Sequence, residues 1–204
     1  MSIATLTFKF YDDAGLTTLT NTLFQLTHQS DFSDNPQKFN KFFGSNNSAN
    51  KLQAQASPGV NQITLTPTRI LATWALTTAY TLGQRRRPTV DNNFTYVVTT
   101  AGVSSGTEPT WNTSLNGFTT DGTVVWQTIS AEHPITEIKL ALTEAGLASA
   151  TGGAALNIGA TINGGVANAV SVWIQVDNSI ATVGSTTGAP ELGIYINAVQ
   201  ESAI

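Results

Sequence analysis

Apolar and polar residues alternate with a period of two along most of this chain, which is the pattern of β-strands. The first such stretch runs from residue 4 to residue 10, with Leu6, Phe8 and Phe10 on one side. The same alternation predicts strands over residues 23–26, 41–43, 63–71, 135–142, 154–162, 166–177 and 192–199. Residues 28–50 are mostly polar and predict a long loop. Helical periodicity is confined to a short turn at 143–148, so the predicted fold class is all-β, a β-sandwich.

The middle segment, residues 72–130, differs from the rest because aromatic residues, glycines and prolines follow each other closely. It holds three of the four tryptophans. Removing it would leave the predicted strands 63–71 and 135–142 as neighbours joined by a short loop. Insertions of this kind are tolerated because the cost of closing a loop grows only with the logarithm of its length. We therefore predict a discontinuous β-sandwich domain, residues 1–71 plus 131–204, and a small inserted aromatic-rich β-module.

The composition is that of a folded protein with few charges. Hydrophobic residues make up 41% of the chain, but charged residues only 11%, which is less than half the usual share. The net charge is −4, and the acidic excess lies in residues 131–204. A neutral polar surface of this kind favours an extracellular or particle-borne protein. Disorder is not expected, because it normally requires low hydrophobicity together with high net charge.

Three of the nine basic residues form the only basic cluster, Arg85-Arg86-Arg87, inside the predicted module. Three arginines can contact a phosphate or carboxylate, and they can equally form a solvated strand edge. They do not make the extended basic surface that a nucleic-acid partner requires. No stretch approaches the roughly 18 apolar residues of a membrane helix, and the first ten residues lack a signal-peptide pattern. We expect neither a nucleic-acid nor a membrane partner.

Residues able to carry out catalysis or bind metals are sparse. The chain has no cysteine, and its only two histidines, His28 and His133, lie far apart in the sequence. Asp12-Asp13 predicts a turn-capping pair, and Asp31 with Asp34 has too few patterned oxygen ligands for calcium. The glycine pairs at 152–153 and 164–165 predict turns, since neither is followed by a helical pattern. We expect no metal, no cofactor and no enzyme activity.

An ordered series of residues crosses the middle segment: Trp74, Tyr80, Gly83, Pro88-Thr89, Phe94, Tyr96, Thr100-Ala101-Gly102, Gly106, Glu108-Pro109, Trp111, Asp121-Gly122-Thr123 and Trp126. This order resembles the small carbohydrate-binding-like modules of the chitin-binding type 5/12 kind, which recur in structural proteins of tailed bacteriophages. The resemblance covers residues 74–127. Outside it, the Thr-, Ala- and Gly-rich strands are similar to phage virion proteins only in general style.

The resemblance implies roles for four aromatic residues, Trp74, Tyr80, Trp111 and Trp126, which match the family's aromatic positions. In the family, exposed rings stack on sugar faces, and flat rigid rings with polar neighbours suit that contact. In phage versions of the module the same rings can instead form its core. About sixty residues bury little apolar surface, so several rings must serve as core.

Two further strands place aromatic residues on faces expected to meet water. Trp173 alternates with the apolar residues of 166–177, and Tyr195 does so in 192–199. Exposed aromatic rings on a charge-poor sheet are typical of interface anchors, although a loop folded over them is an equal alternative. Phe39, Phe42 and Phe43 in the long polar loop are also predicted to order against a neighbour.

Together these features predict a non-enzymatic virion structural protein, with a capsid decoration (cement) protein on the particle exterior as the leading placement. A neck, baseplate or tail-fibre-associated position and a glycan-binding adhesion module are the alternatives. The expected partners are other virion proteins, meaning the major capsid protein or head and tail components, further copies of the chain, and in the alternative a host-surface glycan. The expected location is the virion, assembled in the host cytoplasm.

Overall fold

The computed structural model describes residues 6–21, 35–90, 92, 94–131, 133–177 and 192–204, and β-strands dominate them. In chain order the strands are β1 Lys9–Tyr11, β2 Gln37–Gly44, β3 Asn50–Ala54, β4 Thr64–Arg69, β5 Ala79–Tyr80, β6 Arg85–Arg86, β7 Phe94–Thr100, β8 Gly102–Val103, β9 Phe118–Asp121, β10 Val124–Ala131, β11 Ile138–Ala141, β12 Leu156–Asn157, β13 Thr161–Asn163, β14 Val170–Val176, β15 Leu192–Ile196 and β16 Val199–Ala203. Three 3-10 turns occur among these residues, Ile135–Glu137, Ala145–Ala148 and Val166–Asn168. The fold is all-β, as the alternation predicts, and its sandwich arrangement stays a prediction.

The chain divides into two compact units. The host unit comprises Met1–Thr68, Ile135–Asn178 and Gly193–Ile204. The aromatic unit comprises Arg69–Pro134 and Ser179–Leu192. The aromatic unit includes the segment 72–130, and the origin of that segment as an inserted module stays a prediction.

Three antiparallel sheets build the host unit, with the strand orders β1-β2-β14-β11, β12-β4-β15 and β13-β3-β16. The sheets of the aromatic unit are β6-β7-β10-β9 and β5-β8. Strands β4 and β11, which flank the middle segment, therefore belong to different sheets. The prediction that they are neighbouring strands is wrong, because β4 pairs with β12 while β11 pairs with β14.

The strand predicted at 41–43 is confirmed but is longer than predicted, so the predicted loop over residues 28–50 is wrong at 37–40. Residues 37–44 form the eight-residue strand β2, and β3 follows at Asn50–Ala54. Polar residues such as Lys38 and Asn40 alternate with Phe39 and Lys41, so neither face of β2 is uniformly apolar and the strand signal is weak. The residues before 35, including the predicted strand 23–26, lie outside the described residues.

The predicted strand over 154–162 is two short strands, β12 and β13. Between them Gly159 has a φ of 118°, a conformation that L side chains rarely adopt and that interrupts an extended strand. The 3-10 turn Ala145–Ala148 confirms the short turn that helical periodicity predicts at 143–148.

Strand β14 organises the largest host sheet because it pairs along its whole length with β2. Val172, Ile174 and Val176 are buried, and residues opposite each other in antiparallel pairs share a face. Phe43 opposes Val170 and Phe39 opposes Ile174, so both phenylalanines lie on this first face. Leu140 and Ile138 of β11 join it through their own pairing with β14.

The opposite face of this sheet carries the other set of aromatic residues. Phe42 opposes Ser171, and Trp173 opposes Asn40 on one side and Ala141 on the other. Phe42 and Trp173 are diagonal neighbours, which brings large rings within reach of each other. Both rings are half-buried. We call the set Phe42, Trp173, Asn40 and Ser171 the Trp173 face.

The acidic pair after β1 has the turn-capping role that the sequence predicts. The Asp13 carboxylate accepts hydrogen bonds from the backbone N–H groups of Thr17 and Thr18, the latter at 2.7 Å. Asp12 accepts one from the Thr20 hydroxyl at 2.8 Å and a charged one from Lys41 Nζ at 2.6 Å. These contacts fix the turn that joins β1 to residues 17–20.

Glu201 in β16 ties the start of the described chain to its end. Its carboxylate accepts hydrogen bonds from Thr7 N at 2.7 Å, Thr7 Oγ1 at 2.6 Å and Asn50 Nδ2 at 2.5 Å. Burial works to raise the pKa of Glu201, but the hydrogen bonds from Thr7 and Asn50 outweigh it and hold the pKa below the ordinary value of 4.5.

This contact predicts a pH-dependent contribution to stability. A carboxylate whose pKa is lowered by folding stabilises the protein above its unfolded pKa, and that contribution is lost as the pH falls through the folded pKa. We expect wild type to melt at a higher temperature than Glu201→Gln at pH 7, and the difference to shrink as the pH falls below 4.5. Thermal melts from pH 7 to pH 3 measure it. A difference that stays constant with pH would contradict the prediction.

Candidate functional site

The aromatic unit is built around a cluster of buried rings. Tyr80 lies in β5, Tyr96 in β7 and Trp126 in β10, while Trp74 precedes β5. The exposed fraction is 2% for Tyr80, 0% for Tyr96 and for Trp126, and 6% for Trp74. Val98 and Val124 complete the cluster. Strand alternation places these residues on one face, since Val124 and Trp126 are buried while Val125 and Gln127 are partly exposed.

Asp121 is the polar centre of this cluster. Its Oδ2 accepts hydrogen bonds from Trp74 Nε1 at 2.7 Å and Trp126 Nε1 at 3.2 Å, and its Oδ1 accepts one from Ser105 N at 2.8 Å. The residue is 2% exposed. A buried indole N–H needs an acceptor, and one carboxylate serves two indoles here. Gly122 follows with a φ of 61°, which turns the chain sharply from β9 into β10.

Burial decides between the two roles that the sequence leaves open for the aromatic residues. Trp74, Tyr80 and Trp126 form the core of the unit, so their faces cannot stack on a sugar. Trp126 contacts the Tyr80 ring edge-on, with 4.8 Å between ring centroids. The glycan-contact interpretation of these three residues is therefore wrong, and the core alternative holds for them.

Trp111 differs from the other three because its ring is partly exposed. It lies in the connection between β8 and β9 and packs on Tyr96 with 4.2 Å between ring centroids and an interplanar angle of 37°. Trp126 meets it edge-on at 5.6 Å. The core thus holds one side of the indole in place while part of the ring faces solvent. Ligand contact stays a prediction for Trp111.

Glu108 holds the polar edge of Trp111. Its Oε1 accepts hydrogen bonds from Trp111 Nε1 at 3.0 Å and Thr89 N at 2.8 Å, and its Oε2 accepts one from Thr89 Oγ1. Burial works to raise the pKa of Glu108, but the hydrogen bonds from Thr89 and Trp111 outweigh it and keep the pKa below the ordinary value of 4.5. The side chain is therefore an anion at neutral pH.

A groove of about 460 Å³ lies in front of Trp111 and Glu108. It is shallow and open to solvent. The described residues that line it are Pro88, Val90, Asn92, Glu108, Pro109, Thr110, Trp111 and Thr113. Val90 is 81% exposed at its rim. We call this feature the Trp111 groove.

Several polar groups beside Trp111 already form hydrogen bonds within the protein. Asn92 donates from Nδ2 to the Tyr96 hydroxyl at 2.8 Å and accepts at Oδ1 from Phe94 N at 3.1 Å. The Trp111 N–H is directed to Glu108. The groove therefore offers a ligand the exposed part of the Trp111 ring and the charge of Glu108.

The three arginines lie in and just after β6, and their contacts stabilise the unit. Arg86 Cζ lies 5.2 Å from the centroid of the Tyr80 ring, within cation–π distance. Arg87 donates from Nε to the Leu71 carbonyl at 3.1 Å. Its own carbonyl accepts from Trp74 N at 2.8 Å. An anion contact by Arg85, Arg86 and Arg87 stays a prediction.

The structure separates the five predicted interface residues of the host unit. Tyr195 is 58% exposed, which confirms that its face of β15 meets water, and Trp173 and Phe42 are half-buried. Phe43 is 4% exposed and packs on Phe10, with 5.1 Å between ring centroids. Predicting Phe43 as an interface residue is wrong, because the period of two places it and Phe39 on the face opposite to Phe42.

Within the described part of the chain, no three His, Asp or Glu side chains come together as metal ligands. No helix among the same residues has the length and apolar character needed to cross a membrane. His133 is partly exposed and already in contact with other groups. His28, Asp31 and Asp34 lie outside the described residues. No known protein family, curated protein or solved structure matches this chain.

Sequence reasoning missed the two carboxylates that organise the site. Both residues enter it only as positions of the ordered series from Trp74 to Trp126. One signal could have found them. The segment 72–130 has three acidic residues, and buried indoles require acceptors, so acidic residues among tryptophans predict carboxylate–indole contacts.

Proposed function

We propose that this chain is a non-enzymatic structural protein of a tailed-bacteriophage virion that packs against neighbouring virion proteins through the Trp173 face. Capsid decoration on the particle exterior is the leading placement, and a neck, baseplate or fibre-base position is the alternative. The observation that carries the proposal is the pair of half-buried rings, Phe42 and Trp173. The order of aromatic and glycine positions from Trp74 to Trp126, which resembles modules of phage virion proteins, supports the phage context.

The Trp173 face has the composition of an interface centre. Tryptophan and phenylalanine are enriched in such centres, while charged residues are depleted there. Between the rings, Ser171 donates to Asn40 Oδ1 at 3.0 Å, so these polar groups are already paired and lose little on desolvation. Lys38 and Glu144 form an ion pair of 3.1 Å, with side-chain exposures of 42% and 53%. This ion pair neutralises one of the charges on this side of the sheet.

A particle repeats each contact many times. An interface of modest affinity becomes effectively permanent when several copies are linked, because the second contact forms at high effective concentration. A chain with 11% charged residues suits such packing, since few charges must be desolvated. Decoration of a shell therefore requires only weak individual contacts, which two aromatic anchors can supply.

The test is attachment of the purified chain to particles assembled without it. We expect wild type to bind such particles, and Phe42→Ser and Trp173→Ser each to raise the dissociation constant at least about tenfold, the effect of losing an interface anchor. Phe118→Ser is the matched control, because Phe118 is 58% exposed but belongs to the aromatic unit. Cosedimentation measures binding, and circular dichroism checks folding.

Two outcomes would oppose the proposal. Failure of the folded wild-type chain to attach overturns the virion role itself. Attachment of folded Phe42→Ser and Trp173→Ser with wild-type affinity overturns the Trp173 face as the contact, because a surface that carries the binding energy cannot lose its rings without effect.

A further inference from the structure

The Trp111 groove combines an anion with a fixed aromatic ring. Glu108 is the one charged residue among the described residues that line it. A carboxylate has about four lone-pair positions, and the hydrogen bonds from Thr89 and Trp111 use three of them. One acceptor position on Oε2 is therefore left for a ligand.

Neighbouring rings hold the Trp111 ring in a position where it can make a cation–π contact. Its packing on Tyr96 and its edge contact with Trp126 fix the ring in the floor of the groove. Tryptophan is the best aromatic partner for a cation, and a neighbouring carboxylate adds direct charge attraction. Pro88 and Pro109 supply apolar walls that suit the methylene groups of a long side chain.

A neutral ligand fits these groups less well. A sugar hydroxyl can donate to the free position of Glu108, but it brings no positive charge, and its oxygens also require donors such as amide or indole N–H groups. Here the Asn92 amide is directed to Tyr96 and Phe94, and the Trp111 N–H is directed to Glu108. Redirecting these donors to a sugar would cost Tyr96 its bond from Asn92 and Glu108 its bond from Trp111, while Glu108 would keep its two bonds from Thr89. A positively charged ligand requires no such exchange.

We propose that the Trp111 groove binds the side chain of an arginine or lysine from a partner protein, with the cation over the Trp111 ring and against the free position of Glu108. Arg86 and Arg87 do not supply this cation from within the chain, since they contact Tyr80 and Leu71. The inference goes beyond the virion role, because it concerns the ligand of the aromatic unit and does not involve the Trp173 face.

The experiment is an NMR titration of the full chain. The probes are N-acetyl-arginine methylamide, its neutral isostere N-acetyl-citrulline methylamide, and the trisaccharide of N-acetylglucosamine. We expect the arginine probe to shift the Trp111 Nε1–H resonance at millimolar concentration and the citrulline probe to leave it unchanged. The resonance is assigned by its loss in Trp111→Phe.

A variant of Glu108 tests whether its negative charge, and not only the shape of the groove, contributes to binding. In Glu108→Gln the amide oxygen still accepts from Trp111, so the unit keeps its fold while the anion is lost. We expect this variant to bind the arginine probe at least about tenfold more weakly. Glu144→Gln is the matched control, since it removes one exposed carboxylate from the host unit and leaves binding unchanged. Should Glu108→Gln not fold, Trp111→Phe provides the second measurement, with binding weakened several-fold.

Three outcomes would overturn the proposal. If the arginine and citrulline probes bind equally well, the positive charge of the ligand does not contribute to binding. A trisaccharide that shifts Trp111 with equal affinity in wild type and Glu108→Gln assigns the groove to neutral glycans. No shift of Trp111 with any probe shows that the groove is not a binding site. Each of these results is compatible with attachment to particles, so failure here is distinguishable from failure of the virion role.

Discussion

Replacing Asp121 with alanine is expected to cost the aromatic unit about 4 kcal/mol, most of the stability of a unit this small. The substitution leaves Trp74 Nε1 and Trp126 Nε1 buried without an acceptor, and each orphaned donor costs about 2 kcal/mol. Ser105 N, the third donor, belongs to a partly exposed residue, so water can replace the carboxylate there. The loss exceeds that of an average core substitution because one side chain serves several partners.

Near-ultraviolet circular dichroism and the two indole N–H resonances measure the effect. Asp121→Asn is the informative companion, because its amide oxygen still accepts from the indoles while its N–H₂ group faces the Ser105 N–H. We expect a loss of about 2 kcal/mol for it, between wild type and alanine. Asp177→Ala, an exposed carboxylate of the host unit, is the control. An Asp121→Ala protein that melts like wild type would show that the indoles find other acceptors.

The period of two was sufficient to predict the fold class, and it failed where polar residues occupy both faces of a strand. Strand β2 is the clearest case, since polar residues lie on both of its faces and only 41–43 of its eight residues were predicted as strand. The strand depends on its pairing with β14, which is more than a hundred residues away. Long-range pairing of this kind overrides local composition.

The candidate site was predicted in its aromatic residues and not in its carboxylates. The small size of the segment 72–130 correctly required several of its rings to be core. The spacing of the aromatic residues in the sequence could not predict which ring lies at the surface of the core. That depends on the connection after β8, which directs Trp111 across Tyr96 and leaves part of it exposed.

The three phenylalanines of β2 show why a composition argument cannot assign a surface. Their shared polar surroundings suggested one common role. The strand places Phe39 and Phe43 on one face and Phe42 on the other, so a single register decides which ring can meet a partner. A shift of one residue would exchange core and surface. Interface predictions for a strand therefore require its pairing partner.

Replacing Gly164 with alanine is expected to destabilise the host unit by about 3 kcal/mol, at the upper end of overpacking effects. A Cβ at this position would overlap the Asn47 carbonyl oxygen and approach Asn50 O to 3.0 Å. Both are backbone atoms, which cannot turn aside as a side chain can. Gly164 N also donates to Asn50 O at 2.7 Å, so the displacement needed to relieve the overlap breaks the contact between β13 and the start of β3.

Alanine substitutions at two other glycines distinguish the effect of this atomic overlap from the effect of backbone strain. Gly165 has a φ of 98° but its Cβ would meet nothing closer than 3.4 Å, so Gly165→Ala is expected to cost only about 1 kcal/mol. At Gly106 an added Cβ would have no atom within 4 Å, and φ is not positive, so Gly106→Ala is expected to be within about 0.5 kcal/mol of wild type. Denaturant unfolding of the three variants measures the order. If Gly165→Ala is destabilised as much as Gly164→Ala, the conformation of the turn rather than its close approach to Asn47 determines the need for glycine, and the predicted order is wrong.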